Sequence, residues 1–474
     1  MSPAPATKTP SSTQTAAQKL NADPRIEQGR QLILQAVAEH QQTLTSIRPP
    51  NPELADSYKQ MLDEYGAIRG GNLYFPYLSS GLGNGPFVEL ADGSVKLDFI
   101  TGIGVHGYGH SHPALVSSGI DAAISDTVMQ GNLQQDVTSF EFCKMLSELA
   151  CESGSGLKHC FLSTSGAMAN ENALKIAYQH HAPADRILAF EHCFAGRTLA
   201  LAALTDKAAY RKGIPTMLAV DYLPFFEEAD PEGSTARTLS RMQEYLDRYP
   251  GRYANLWMEL IQGEGGYYVG QKDFYVKLCE LAHKNNMAVI ADEVQSFGRT
   301  TRPFAFQHYE LDKHIDIVTV GKISQVCATL YTTEYKPQAG LISQTFTGST
   351  FSIFAGKTII NGLVAGGHYG PNGRNVQLHE KFAGGLKEIA ARLPGAISGP
   401  YGIGGMVGMT ALDGSEAKTK ELVNRLFEAG LMAFMAGGNP TRLRFLMPLG
   451  SVTDEHIDLA LQVIEQVLRD MQNA

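Results

Sequence analysis

The sequence predicts an α/β protein in which a mostly parallel sheet is covered by helices and a smaller α+β domain is assembled from both ends of the chain. Between about residues 112 and 350, short apolar runs at 158–163, 186–190, 217–222, 254–261, 287–291 and 315–320 alternate with stretches of helical spacing. That is the rhythm of strand–helix–strand units, whose strands run parallel. Several of these runs, Met287-Ala288-Val289-Ile290-Ala291 most clearly, are apolar throughout instead of alternating, as strands covered on both faces must be. Outside this region the pattern changes to a hairpin near the start and a mixture of helices and strands near the end.

In chain order, residues 1–22 are rich in Ser, Thr, Pro and Ala and cannot bury much apolar surface, which predicts a disordered tail. A helix follows from residue 23, where Ile26, Leu32, Ile33 and Val37 keep roughly helical spacing up to Pro49-Pro50; a second covers 52–65. Strands at 87–90 and 95–99 flank the turn Ala91-Asp92-Gly93-Ser94. Residues 23–100 are thus the N-terminal part of the small domain, 101–366 the large domain and 367–474 the C-terminal part of the small domain. In the last third the sequence predicts helices at 351–366 and 376–392, a strand at 405–411, a helix at 416–429 and a strand at 442–447. In a closing helix, Ile457, Leu461, Ile464 and Leu468 form one core-facing stripe.

Composition narrows the function. The chain of 474 residues is 43% hydrophobic and 18% charged, enough for a large core and a second domain. A net charge of −9, without any basic run, argues against nucleic acid or an anionic membrane as partner. No apolar stretch reaches membrane-span length and the start lacks a secretory core, so a cytoplasmic protein acting on small molecules is expected. The six cysteines are scattered with no C-x-x-C pair, which predicts reduced thiols and no metal site. Glycine, at 48 residues, clusters at 102–109 and 402–408, where tight turns or close backbone approaches are expected.

The chemistry lies at strand ends. The run 287–291 ends in Asp292-Glu293-Val294-Gln295, and the run 315–320 ends in Gly321-Lys322. In an open α/β sheet the C-terminal strand ends face the ligand crevice, so a carboxylate and an amine can converge there. An aldehyde cofactor with a basic ring nitrogen needs that pair: an amine for a Schiff base and an anion to keep the ring protonated. Pyridoxal 5'-phosphate is the candidate. Ser163-Thr164-Ser165-Gly166-Ala167 is a strand end, a small-residue turn and a helix start suited to an anion. Phe194-Ala195-Gly196-Arg197-Thr198 offers an aromatic cover and a carboxylate grip, and Glu259-Leu260-Ile261-Gln262-Gly263-Glu264 ends a strand in acids and glycine. Thr345-Phe346-Thr347-Gly348-Ser349-Thr350 is a hydroxyl-rich turn, and Arg442 and Arg444 share one strand face.

On these words, together with Gly298-Arg299-Thr300 and the string from Gly102-Ile103-Gly104-Val105 to Gly109-His110-Ser111-His112-Pro113, residues 70–450 resemble the class III aminotransferases of fold type I. That group includes the acetylornithine, ornithine, 4-aminobutyrate and lysine 6-aminotransferases. The resemblance implies a large domain with the seven-stranded type of sheet and a pyridoxal phosphate-dependent transfer from an ω-amino donor, with 2-oxoglutarate as acceptor. Lys322 is then the Schiff-base lysine and proton carrier. Asp292 pairs with the ring nitrogen, Val294 backs the ring, Gln295 bonds its phenolic oxygen and Phe194 stacks on its face. Ser165, Gly166 and Ala167 hold the phosphate, and Thr345 reaches it across the interface of a homodimer with shared active sites. Arg197 takes a substrate carboxylate, while Glu264 and Arg444 form a switchable ion pair. Ala195 stands where relatives carry histidine, Met168 where they carry an acid, and Ile323-Ser324-Gln325-Val326-Cys327 replaces a glycine-rich loop; these departures bear on the donor, not on cofactor chemistry. Aminomutases and decarboxylases of the same fold are the alternative, and a non-enzymatic scaffold has no physical need for an amine and an acid aimed at one crevice.

Overall fold

In the structure, a computed structural model that describes residues 13–126 and 129–473, the chain folds around a seven-stranded sheet flanked by two four-stranded sheets. The first small sheet contains β1 (Ser79–Asn84), β2 (Phe87–Leu90) and β3 (Val95–Asp98). The large sheet contains β4 (His159–Ser163), β5 (Arg186–Phe190), β6 (Ala219–Leu223), β7 (Tyr253–Met258), β8 (Ala288–Glu293), β9 (Ile317–Val320) and β10 (Cys327–Tyr331). The C-terminal part adds β11 (Ile397–Ile403), β12 (Met406–Ala411), β13 (Leu431–Met432), β14 (Phe434–Gly437) and β15 (Thr441–Leu446).

The strand order in the large sheet is β4-β10-β9-β8-β7-β5-β6. Neighbours β9, β8, β7, β5 and β6 pair in parallel, while β10 is antiparallel to both β9 and β4. The expected mostly parallel sheet is therefore present, and β10, a run after Lys322 that is not among the expected strands, is an addition to it. The run expected at 254–261 breaks after Met258, and Ile261–Gln262 pairs instead with Tyr268–Val269 in a separate hairpin. Trp257, Leu256, Val289, Ile290, Ile317 and Val318 are fully buried, as their uniformly apolar pattern requires.

The two ends of the chain meet in one sheet. β13, from the C-terminal part, pairs in parallel with β3, placing Leu431 opposite Leu97 and Met432 opposite Asp98. The antiparallel sheet β11-β12-β15-β14 carries Arg442 and Arg444 on its third strand. The closing helix Asp454–Gln472 buries Ile457, Ile464 and Leu468 as its stripe predicts, and Leu461 packs so close to Gly385 that a Cβ there would lie 2.1 Å from it.

Two expectations near the start differ. Ala16–Asn21 is a helix, closed by a capping box between Thr15 and Gln18, where a disordered tail over 1–22 is expected; residues 1–12 of that tail lie outside the described residues. The helix Pro24–Gln41 forms as its pattern predicts, but Leu32 and Ile33 are 62% and 46% exposed. Arg30 anchors it to the helix Pro113–Ala123 through Asp121 and Ser117. Among the described residues no helix is long and apolar enough to cross a membrane.

Leu256 lies at the middle of the sheet, in register with Val289 on one side and Leu188 on the other. Leu256→Ala is expected to lower stability by about 3 kcal/mol through lost burial and a residual cavity, read as an earlier midpoint in urea denaturation.

Candidate active site

Parallel pairing of β8 and β9 sets Asp292 opposite Thr319 and Glu293 opposite Val320, so Lys322, two residues beyond β9, emerges beside the carboxylate. Both residues line one cavity of about 460 Å³ together with Gly166, Ala167, Phe194, Arg197, Val294 and Gln295. Eight of the residues expected at the site are thus brought together. Val105, Asn170, Glu259, Gln325 and Cys327 complete the walls and were not singled out from sequence as site residues.

Asp292 is almost fully buried, and its carboxylate accepts hydrogen bonds from the Val294 N–H at 2.9 Å and from Asn170 Nδ2 at 2.7 Å. Burial pushes its carboxyl up to about 6, against the pull of those bonds and of Lys322. Burial likewise lowers the Lys322 amine, only partly opposed by Asp292. A buried carboxylate with few donors calls for a cation, and a lysine with a lowered pKa is a better nucleophile at neutral pH. Asn170 is legible in hindsight as a polar residue on the buried face of the helix Gly166–His180.

Lys322 holds φ at +54°, in the left-handed region that lysine rarely adopts. Its carbonyl accepts from the Gln325 N–H at 2.9 Å, and Gln325 Nε2 also donates to Val105 O at 2.8 Å. Gln325, itself at φ +61°, therefore holds the lysine's turn in place. Gly321 and Gly166 leave room for Val294: a Cβ on either would lie about 3 Å from its methyls, 3.1 Å and 2.8 Å respectively.

The helix Gly166–His180 starts at the cavity wall. Ser165 caps it, with Oγ accepting from the Met168 N–H at 3.2 Å. The N–H groups of Gly166 and Ala167 have no acceptor among the described residues, which leaves two donors and the positive helix end for an anion. Asn170 Oδ1 is also buried without a partner. These features fit a phosphorylated pyridine aldehyde: free N–H groups for its phosphate, an aromatic and a valine for its ring, a buried acid for its nitrogen and an amine for its aldehyde. The loop carrying Phe194 is tied down at each residue. The Phe194 N–H donates to Glu259, the Ala195 N–H to Thr205, and the Ala195 carbonyl accepts from Asn170.

Buried charges hold the surrounding backbone. Glu259, the residue after the end of β7, is pushed up to about 8 by burial and by Asp292, and accepts from the Gly263 N–H as well. Arg299 donates to the carbonyls of Gln295 and Gly104, linking the Gly298-Arg299-Thr300 motif to the Gly102–Val105 turn. Arg444 pairs with Glu264 and donates to Gly263 O at 3.1 Å, while Arg442 donates to Gly266 O at 2.6 Å from between the rings of Tyr268 and Tyr401. The backbone around Glu264 is thereby held at both ends, and its carboxylate is held by Arg444. Burial opposes the charge on Glu264, but Arg444 outweighs it and holds the carboxyl below its ordinary value.

Four of the expected residues are not among those lining this cavity: Glu264 and Arg444, which pair with each other, and Ser165 and Thr345. Ser165 is engaged in capping, and Thr345 lies in an exposed groove with Met129, Leu133 and Phe346. Within one chain, Thr345 does not line the cofactor cavity.

The family model for class-III aminotransferases matches residues 76–468. An acetylornithine aminotransferase of Methanocaldococcus jannaschii is 29% identical over 407 residues, covering 82% of this chain and 93% of that one. In fold, the chain matches a lysine aminotransferase from M. tuberculosis with a TM-score of 0.76 at 23% identity, over 86% of this chain and 99% of that one. It matches the ornithine aminotransferase from Toxoplasma gondii ME49 with a TM-score of 0.73 at 22% identity, over 88% and 98%.

Glu293, also in the Asp-Glu-Val-Gln string, is fully buried and serves the fold: it caps the short helix Ala305–His308 through the N–H groups of Ala305 and Phe306. Burial pushes its carboxyl up to about 8. The native state therefore keeps a proton that the unfolded chain has released, and stability falls as pH rises from the ordinary glutamate range through about 8. Glu293→Gln should flatten that part of the slope in a series of thermal melts against pH; an unaltered slope would show that Glu293 does not hold the proton.

Proposed function

This chain belongs to the class-III aminotransferases, which are pyridoxal phosphate-dependent, and from that premise we propose that it moves the ω-amino group of a lysine-, ornithine-, acetylornithine- or 4-aminobutyrate-type donor to 2-oxoglutarate. The carrying observation is the convergence of Asp292 and Lys322 at the ends of two neighbouring parallel strands, on one cavity with an open helix N-terminus. The relative named for acetylornithine and the Glu264–Arg444 pair support the ω-amino donor.

Pyridoxal phosphate, when bound, supplies an aldehyde for the amine and a ring that withdraws electrons from the substrate carbon. Lys322 would hold it covalently and, once displaced by substrate, take and return the proton at that carbon through Nζ. Asp292 would keep the ring nitrogen protonated, its own carboxyl losing the proton it holds up to about 6 as that cation arrives. Val294 and Phe194 would sandwich the ring and Gln295 bond its oxygen, with Ser165, Gly166 and Ala167 at the phosphate. Arg197 would bind a substrate carboxylate. Glu264 would neutralise Arg444 while the donor is bound and swing away for the α-carboxylate of the acceptor, about a backbone that stays fixed.

We read the enzyme as a cytoplasmic homodimer with shared sites. Supporting it, Thr345 shares a groove with Met129, Leu133 and Phe346, whose exposures of 42%, 98% and 53% leave apolar surface that calls for cover. A second copy would bring the partner's threonine to the phosphate. We also divide the chain into a small domain of residues 23–100 and 367–474 and a large one of 101–366, because β13 joins β3 across that division.

Adding each donor to the holoenzyme and following its visible absorbance tests the function: an ω-amine should bleach the band and 2-oxoglutarate restore it, whereas full substrate conversion without any oxo acid would favour an intramolecular transfer. Lys322→Ala should abolish the covalent link, so that borohydride treatment labels no peptide. Mixed dimers of Thr345→Ala and Lys322→Ala chains should regain part of the activity that each lacks. No recovery would place Thr345 outside the partner's site.

A further inference from the structure

Beyond Arg197, which lines the cavity, a second cation stands close to the same aromatic ring. The ring of Tyr210 stands edge-on to Phe194, with centroids 6.1 Å apart. The Arg197 guanidinium lies 3.8 Å from the centre of the Tyr210 ring and the Lys207 ammonium 4.9 Å from it. Two positive charges on one aromatic ring repel each other, and the ring's quadrupole compensates only in part. Neither has a carboxylate within ion-pair distance among the described residues, whereas Arg211, in the same connection, has Asp206 at 3.9 Å. Lys207 also acts on the site's own acid: after burial, Arg444 and Lys322, it is among the charges that keep Glu264 ionised. The chain is short here. Thr205 fixes the Phe194 loop from one side and Lys207 leads into the turn Ala208–Tyr210, so the ring and both cations are placed by one connection.

We propose that Lys207 is a substrate-binding residue that joins Arg197, across Tyr210, in a clamp for the distal carboxylate of a dicarboxylate 2-oxo acid, at the end opposite the carboxylate taken by Arg444. This rests on the aminotransferase assignment and adds a residue and a specificity to it. Arg197 supplies two parallel N–H donors; Lys207 supplies a compact, mobile charge that follows the carboxylate as substrates of different length bind. A monocarboxylate acceptor has no group at that end and gains nothing from the clamp.

The test uses holoenzyme carrying Lys207→Ala, Lys207→Arg or, as a control for loss of surface charge, Lys212→Ala. Lys207→Ala should raise the KM for 2-oxoglutarate about tenfold, as expected for one charge-assisted contact, with a far smaller change in kcat. The KM for pyruvate should move much less, and Lys207→Arg should recover most of the loss. Titration with glutarate, an unreactive dicarboxylate, reads binding without turnover and should weaken in parallel. Equal shifts for both acceptors, unchanged glutarate binding in Lys207→Ala, or the same effect from Lys212→Ala would overturn the proposal. Absence of any donor-dependent bleaching in the unmodified enzyme would instead overturn the aminotransferase assignment, and glutarate binding would still decide the clamp.

Discussion

The cost of burying charge in the Asp292–Lys322 pair organises the site. Neither group is comfortable there: burial raises the acid and lowers the amine, each toward its neutral form. They remain because neighbouring parallel strands leave their C-terminal ends a single strand spacing apart. A ring that is cationic at one edge and electrophilic at another meets both demands at once. The geometry of the sheet, more than any single contact, is what brings the pair to one cavity.

Around that pair, buried ionisable groups serve mainly as clamps on the main chain. Glu259 holds the Phe194 loop and the Gly263 turn, Glu293 caps a helix, Arg299 ties two glycine-rich turns together, and Arg442 and Arg444 grip carbonyls on either side of Glu264. Loops that carry binding groups have few apolar contacts of their own, so charged hydrogen bonds give them the definition that a helix or strand would otherwise provide. The Glu264 carboxylate itself is held by a side chain, Arg444, within a backbone fixed on either side. Next to Thr345, the side chains of Met129, Leu133 and Phe346 are exposed along one groove.

Much of this was legible before any coordinates. Unbroken apolar runs located β8 and β9, and the residues at their C-terminal ends, Asp292 within β8 and Lys322 two residues beyond β9, followed from the rule that strand ends carry the chemistry. Small residues at 165–167 announced a helix start at the cavity, and Phe194, Arg197, Gln295 and Val294 all line or border it. Less legible were Asn170, Gln325 and Cys327, whose side chains matter only because folding brings the helix face and the turn after Lys322 to the same wall. β10 escaped notice for a related reason: a five-residue antiparallel strand depends on the edge of a sheet that must already exist. The stripe on the helix Pro24–Gln41 was a true helix signal, but its Leu32 and Ile33 remain outside the core of the single chain.

By itself, then, the sequence determined the class of fold, the strand ends that bear the acid and the amine, and the residue types able to grip a phosphate and a carboxylate. These follow from local patterning, since periodicity and short motifs act within one element. The tertiary structure alone decided that β13 would complete the sheet of β3, that Arg442 and Arg444 would hold both ends of the Glu264 turn, and that Lys207 would share a ring with Arg197. Each of these joins segments far apart in the chain or sets the directions of side chains around a turn. Such contacts arise only when packing excludes every other arrangement, and no spacing along the polypeptide encodes them.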